Sequence, residues 1–137
     1  MSDASIETGA PLKERPLSPH LFIYKPIPTM VMSILHRITG AALYVGTLFV
    51  AWWLIALAAG PDAYAAVEWF FGSVIGWIVL FGFTLVLVHH ALGGIKHLVQ
   101  DTGRALERDF TTKMALMHPV ATIILTVAIW AIALIAR

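Results

Sequence analysis

Three long runs of apolar residues dominate the pattern of this chain. The runs 38–60, 69–95 and 114–136 contain no Asp, Glu, Lys or Arg and are 23, 27 and 23 residues long. An α-helix rises about 1.5 Å per residue, so about 20 residues cross a hydrocarbon core of roughly 30 Å. Each run can therefore span a bilayer as a helix. The predicted helices cover about 29–59, 66–95 and 113–136.

The residues before the first run have a different character. Residues 1–28 are polar and rich in proline, which disfavours helix at its own position and at the preceding one. We expect an extended cytoplasmic segment along the membrane surface. We expect no signal peptide, because no basic stretch is followed by an apolar core and a cleavage site. The predicted fold is all-α: an integral membrane protein with three transmembrane helices, in which an N-terminal segment, 1–28, precedes a transmembrane domain, 29–137.

Composition supports one membrane domain and excludes several kinds of site. Of the 137 residues, 59% are hydrophobic, and the mean hydropathy is +0.83. The chain has no cysteine, which excludes disulfides, cysteine-ligated iron–sulfur clusters and haem attached through C-x-x-C-H. It also lacks a glycine-rich phosphate loop, a nucleophile elbow and a paired-carboxylate site. We therefore predict no catalytic residues and expect soluble partner subunits to carry any substrate chemistry.

Basic residues are distributed unequally between the segments that flank the apolar runs. Four lie in the N-terminal segment and helix entry, four lie between the second and third runs, and the link 61–68 has none. The positive-inside rule then places the N-terminus and the second link in the cytoplasm or matrix, and the C-terminus outside. A net charge of +1 indicates no nucleic-acid partner. The eight basic residues that flank the apolar runs in these two segments are Lys13, Arg15, Lys25, Arg37, Lys96, Arg104, Arg108 and Lys113.

Several polar side chains fall at one depth of the predicted bundle. The first helix runs outward and the second returns, so the start of one and the end of the other share the cytoplasmic leaflet. Ionisable side chains within a bilayer are costly and so indicate a functional site. The residues are Ser33, His36 and Arg37 on the first helix, His89, His90 and His97 on the second, and His118 on the third.

Helical spacing sorts these residues onto faces. At 100° per residue, Ser33, Arg37, Gly40 and Tyr44 share one stripe of the first helix, with His36 beside it. A stripe on the second helix places an imidazole among small residues, where a flat macrocycle could lie with His90 as an axial ligand. This second stripe consists of Gly82, Val86, His90, Gly93, Gly94 and His97.

Ordinary membrane packing is the alternative interpretation. Glycines on a membrane helix commonly mark close helix contacts, and histidines hydrogen-bond across helices or lie among headgroups. We prefer that interpretation for His97 and His118. Arg37 could likewise extend its charged end to the interface, although the face that it shares with Ser33 argues against this.

Three motifs carry a family resemblance. They are RPLSPHL at 15–21, SILHR at 33–37 followed by Thr39 and Gly40, and HALGGIKHL at 90–98 followed by Asp101 and Gly103. In order and depth they resemble the cytochrome b subunit of succinate dehydrogenase, the large membrane anchor, in its mitochondrial and alphaproteobacterial form. One departure is Lys96, where the family usually has Arg. A bidentate contact to a carboxylate would be weakened there.

The resemblance implies a function and a set of partners. Family members anchor a flavoprotein and an iron–sulfur subunit, and they pair with a second anchor chain to hold one haem b and ubiquinone in respiratory complex II. The chain would be a non-flavin membrane subunit of the enzyme and not catalytic alone. It would lie in the bacterial inner membrane, with its C-terminus in the periplasm, or in the mitochondrial inner membrane.

The resemblance also implies roles for individual residues. His90 would be an axial ligand of the haem iron, and the partner anchor would supply the second histidine. Ser33 and Arg37 would bind ubiquinone, while His36, Arg37 and His97 would contact the haem propionates or support the ligand. Two alternatives stay open: a fumarate reductase anchor with the same architecture, and a structural anchor without a cofactor.

Overall fold

The computed structural model describes residues 16–20 and 22–136. The helices of this part are α1 (Pro28–Ala59), α2 (Pro61–Gly72), α3 (Val74–Asp101) and α4 (Arg108–Ile135), and it contains no β-strand. The all-α prediction is confirmed. Residues 1–15 of the predicted N-terminal segment lie outside the described residues. Its described part, 16–20 and 22–27, is exposed and contains no helix.

The first helix begins at Pro28, close to the predicted start. Ile27 is its N-cap in an extended conformation. A proline in the first turn costs no hydrogen bond, because the first backbone N–H groups of a helix have no partner within it. The helix ends at Ala59, and its C-cap Gly60 adopts a φ of 111°, a positive value that glycine tolerates. Pro61 follows and opens α2.

The prediction of one helix over 66–95 is wrong, because two helices meet at Ser73. Its hydroxyl oxygen accepts from the backbone N–H of Gly76 at 3.1 Å, and the hydroxyl donates to the carbonyl of Phe70 at 2.6 Å. One side chain thus caps the start of α3 and binds the end of α2. A Cβ at Gly76 would overlap the carbonyl of Phe70, so the two helix ends are in close contact.

The other boundaries of the connecting segments also differ from the prediction. α3 continues to Asp101, six residues beyond the predicted end at 95, and α4 begins at Arg108, five residues before the predicted start at 113. Both extensions contain charged residues, which the search for charge-free runs left out. The spans therefore continue as helix beyond their apolar cores.

Three of the four helices are long and apolar enough to cross a membrane: α1, α3 and α4. α2 has 12 residues and is about 18 Å long, too short to cross. The three long helices pack against one another. In the most apolar 18-residue stretch of each long helix, only 11% is buried inside the chain. Most of that surface is therefore available to lipid or to another chain.

Aromatic residues pack the half of the bundle away from the histidines. Trp77 and Phe81 of α3 meet Trp130 of α4 at ring-centroid distances of 5.8 and 5.4 Å. Phe83 of α3 lies against Gly46 of α1, at a place where a Cβ would overlap its ring. The bundle is therefore apolar toward one end, and its polar residues gather at the other.

Candidate functional site

Histidine rings from three helices meet near the start of α1. Two rings, from α1 and α3, lie face to face, a third ring from α3 is tilted against them, and a further pair joins α3 to α4. The structure thus brings together the five histidines that the sequence places at one depth. They are His36, His89, His90, His97 and His118.

The His90 ring is held by the backbone of α1. It stacks on the ring of His36 at a centroid distance of 4.0 Å and an interplanar angle of 5°. Its Nδ1 lies 3.1 Å from the carbonyl oxygen of His36. A carbonyl can only accept, so Nδ1 carries the hydrogen and Nε2 carries a lone pair. No hydrogen bond engages Nε2 among the described residues. This is the tautomer that a neutral imidazole needs to bind a metal through Nε2.

Thr39 contributes to this arrangement, and the sequence analysis assigned it no role. Its hydroxyl lies 2.9 Å from the carbonyl oxygens of Leu35 and of His36, so its hydrogen is directed into α1. The hydroxyl oxygen is also 3.3 Å from Nδ1 of His90 and can accept from it. Two sequence signals pointed to it: Thr39 belongs to the motif that begins at Ser33, and it follows His36 by three residues and so shares its face.

Glycines at the site divide into two groups. Gly40 lies beside the His90 ring, where a Cβ would come 3.0 Å from Cε1. Gly93 lies against the His36 ring, and a Cβ there would overlap Nδ1. In contrast, a Cβ at Gly82 or Gly94 would meet no atom within 4 Å. The predicted glycine stripe is therefore split, because Gly93 serves helix packing while Gly82 and Gly94 leave the surface of the chain open.

His89 faces α4 and is buried, with 9% of its surface exposed. Its carbonyl accepts a hydrogen bond from Nε2 of His118 at 3.1 Å, and the two rings meet edge to face at 4.5 Å. The preferred interpretation of His118 as a residue that hydrogen-bonds across helices is confirmed. Adjacent histidines thus have different surroundings: His89 lies between α3 and α4, and His90 lies beside α1.

Three predicted site residues are exposed on this chain. Ser33 and Arg37 lie one turn apart on α1, and both are exposed. His97 is exposed as well, although the centroid of its ring lies 5.3 Å from that of the His36 ring. The structure therefore places these side chains where a ligand or a second chain can reach them.

The fold and this site define a class: an integral membrane protein of three spans that presents an imidazole with a free Nε2 at one end of the bundle. Sequence comparison assigns it to a family within that class. Residues 11–131 match the family model described as the succinate dehydrogenase/fumarate reductase transmembrane subunit, and the chain belongs to this family. The resemblance carried by the three motifs is confirmed.

Several relatives carry names within this family. The succinate dehydrogenase cytochrome b556 subunit of Paracoccus denitrificans is 43% identical over 93 residues, which are 68% of this chain and 72% of the relative. The b556 subunit of Rickettsia prowazekii is 35% identical over 117 residues, 85% and 91% of the two chains. The cytochrome b560 subunit of Marchantia polymorpha is 40% identical over 98 residues, 68% and 72%.

Proposed function

We propose that this chain is the membrane-anchor cytochrome b subunit of a succinate:ubiquinone oxidoreductase, respiratory complex II. One observation carries the proposal: His90 donates its Nδ1–H to the backbone of α1 and keeps the Nε2 lone pair for iron. Membership of the family, and relatives named as cytochrome b subunits of succinate dehydrogenase, support it. The chain would be a membrane subunit of the enzyme, with the succinate chemistry in soluble partner subunits.

The residues around His90 fit a haem b. The donor is a neutral imidazole whose orientation is set by a carbonyl, as is usual for histidines that bind metals. Gly94, one turn beyond His90, leaves open surface against which a flat macrocycle can lie. His36, Arg37 and His97 are the polar groups that we assign to the propionates or to support of the ligand. When bound, haem b supplies one-electron redox chemistry, and the partner anchor would supply the second axial histidine.

Enlarging Gly40 tests whether the His90 ring must lie against α1. In Gly40→Ala, the added Cβ is 3.0 Å from Cε1 of His90, so a small shift suffices and we expect most of the haem to be retained. In Gly40→Leu three more carbon atoms are attached to a Cβ that is already close to the His90 ring. Overpacking typically costs about 1–3 kcal/mol, which is roughly a 5- to 150-fold loss of haem affinity if the strain falls on the ligand. Gly72→Ala is the control, because a Cβ there meets no atom within 4 Å. Full haem content in Gly40→Leu would contradict the assignment.

We place ubiquinone beside Ser33 and Arg37. The two exposed side chains lie one turn apart on α1, so both can reach one ligand that binds between this chain and its partners. The Ser33 hydroxyl would donate a hydrogen bond to a quinone carbonyl oxygen. The Arg37 guanidinium would stabilise negative charge that develops there during reduction, and its effect is larger in a membrane than in water.

The outer surface of the bundle supports a second membrane chain. Large apolar side chains are exposed along the spans, among them Ile55 at 68% and Ile78 at 67%. Lipid covers part of this surface, and we propose that the second anchor chain covers the part around His90. The basic residues favour the N-terminus and the α3–α4 link on the cytoplasmic or matrix side, where the flavoprotein and iron–sulfur subunits would dock. The C-terminus would then lie on the periplasmic side of a bacterial inner membrane, or on the equivalent side of the mitochondrial inner membrane.

The direction of the reaction is a separate part of the proposal. A fumarate reductase anchor shares this architecture, and the family description covers both enzymes. The relatives are named for succinate dehydrogenase, which favours succinate oxidation and ubiquinone reduction for this chain.

A reduced-minus-oxidised visible spectrum of the complex purified through this chain tests the proposal. We expect a b-type spectrum, together with a flavoprotein, an iron–sulfur subunit and a second small membrane chain. Partners without a haem spectrum would support the alternative of an anchor without a cofactor. Purification without these partners would overturn the proposed function altogether.

A further inference from the structure

Two buried nitrogen atoms at the junction of α1, α3 and α4 lack a hydrogen-bond partner within the described part of the chain. They are Nδ1 of His36 and Nε2 of His89. Buried polar atoms in native proteins are nearly always hydrogen-bonded, either to protein or to ordered water, because an unmade bond forfeits the interaction with solvent. A molecule other than the described chain is therefore expected to bind them.

Both histidines line the same small cavity, which has a volume of about 60 Å³. A water molecule needs about 10–15 Å³ of such space and two to four polar partners. The cavity has room for more than one water, and its walls include Ser33, Lys96 and His118. It is far smaller than the roughly 300–1,000 Å³ of typical small-molecule sites, which favours water over a ligand the size of a quinone or a haem.

Hydrogen-bond geometry assigns the role of His89. The Thr122 hydroxyl donates to the carbonyl of His118 at 2.9 Å, so its oxygen is left to accept from Nδ1 of His89, 3.5 Å away. A hydrogen on Nδ1 of His89 satisfies this contact, and Nε2 is then an acceptor. A molecule in the cavity must therefore donate to Nε2, which water can do while it also bonds to His36.

We propose that this cavity is an internal water site, in which bound water bridges Nδ1 of His36 to Nε2 of His89. The bridge connects α1 to α3 and α4 at His89, the residue that precedes His90. The bound water holds the His36 ring, and Gly93 packs against the same ring. Together they fix the stack of His36 on His90. His89 is then a positioning residue for that stack. This last step rests on the proposed haem function, whereas the water site itself does not.

A cryo-EM map of the whole complex in nanodiscs, at a resolution that shows ordered water, tests the site directly. We expect density within hydrogen-bond distance of both nitrogens in the native complex. The bridge is lost in His89→Leu. It is retained in His89→Gln, whose amide oxygen is an acceptor at a similar distance along the side chain. Thr126→Val is the control, because Thr126 is buried on α4 and does not line the cavity. An empty cavity in the native map, or density at metal-ligand distances, would overturn the proposal.

The electron paramagnetic resonance signal of the oxidised haem tests the positioning role. We expect its g-values to shift in His89→Leu, to return toward the native values in His89→Gln and to stay unchanged in Thr126→Val. Equal shifts in His89→Leu and Thr126→Val would mean that the effect is loss of packing alone and would refute the positioning role. If the complex with His89→Leu fails to assemble, the water density in the native map tests the site. The g-values of the His89→Gln complex then test the positioning role. Bridging water in a complex without haem would leave the water site standing and refute the proposed function.

Discussion

Replacing His90 with alanine is expected to remove haem from the assembled complex. Among the described residues, His90 is the only histidine whose Nδ1–H is fixed by a carbonyl oxygen while Nε2 keeps a free lone pair. The substitution deletes this ring. Loss of a group that merely supports a metal ligand already costs about 10- to 100-fold in affinity, so loss of the ligand itself should exceed that range. Haem per flavin in the purified complex, measured from the pyridine haemochrome, gives the result.

The neighbouring histidine provides a matched control for this prediction. His89→Ala removes an imidazole from the adjacent position, but His89 faces α4 and not the side on which His90 lies. We expect this variant to keep its haem with an altered spectrum. If His89→Ala loses the haem and His90→Ala retains it, the ligand has been assigned to the wrong residue.

Substitutions at Ser33 and Arg37 are expected to separate two activities of the complex. Arg37→Ala removes a cation, and Ser33→Ala removes a hydrogen-bond donor, from the proposed quinone site. Loss of one such group from a preorganised site lowers turnover by about 10²- to 10³-fold in well-studied cases. We expect succinate:ubiquinone reductase activity to fall by roughly 10- to 100-fold, because both groups are partly accessible to solvent. Succinate oxidation with an artificial dye should stay near the native rate.

The same stripe of α1 supplies controls. Tyr44 is exposed two turns beyond Arg37 on the proposed stripe, and Tyr44→Phe removes a hydroxyl without affecting the quinone site. Arg37→Lys keeps the charge and loses the planar two-pronged donor, so an intermediate rate indicates that geometry contributes as well as charge. A parallel loss of the quinone and dye activities would show that these residues support assembly and do not bind quinone.

The three spans could be predicted from the sequence because charge is the dominant signal in a membrane. A run of more than 20 apolar residues without a charged side chain is typical of a helix that crosses a bilayer. The break at Ser73 could not be predicted in this way. A single serine among apolar residues changes hydropathy little, yet its hydroxyl binds both helix ends. The boundary depends on a hydrogen bond, and hydropathy does not report one.

The depth of the candidate site was predictable, but its internal arrangement was not. Antiparallel spans place residues 33–37 and 89–97 in one leaflet whatever their packing. Which ring stacks on which depends on how each helix is rotated about its axis, and that rotation is set by close contacts such as Gly93 with His36. Periodicity alone assigned Gly93 to the cofactor face, because it treats every small residue on a stripe alike.

The acceptor that sets the tautomer of His90 is a main-chain atom. Every residue type at position 36 has the same carbonyl, so substitution there can remove the stacked ring and still leave Nδ1–H its acceptor. Stacking and proton placement are thus separable by mutation at one position. The tautomer that the proposed ligand role of His90 requires is therefore set by the path of α1, and it does not depend on which side chain stands at position 36.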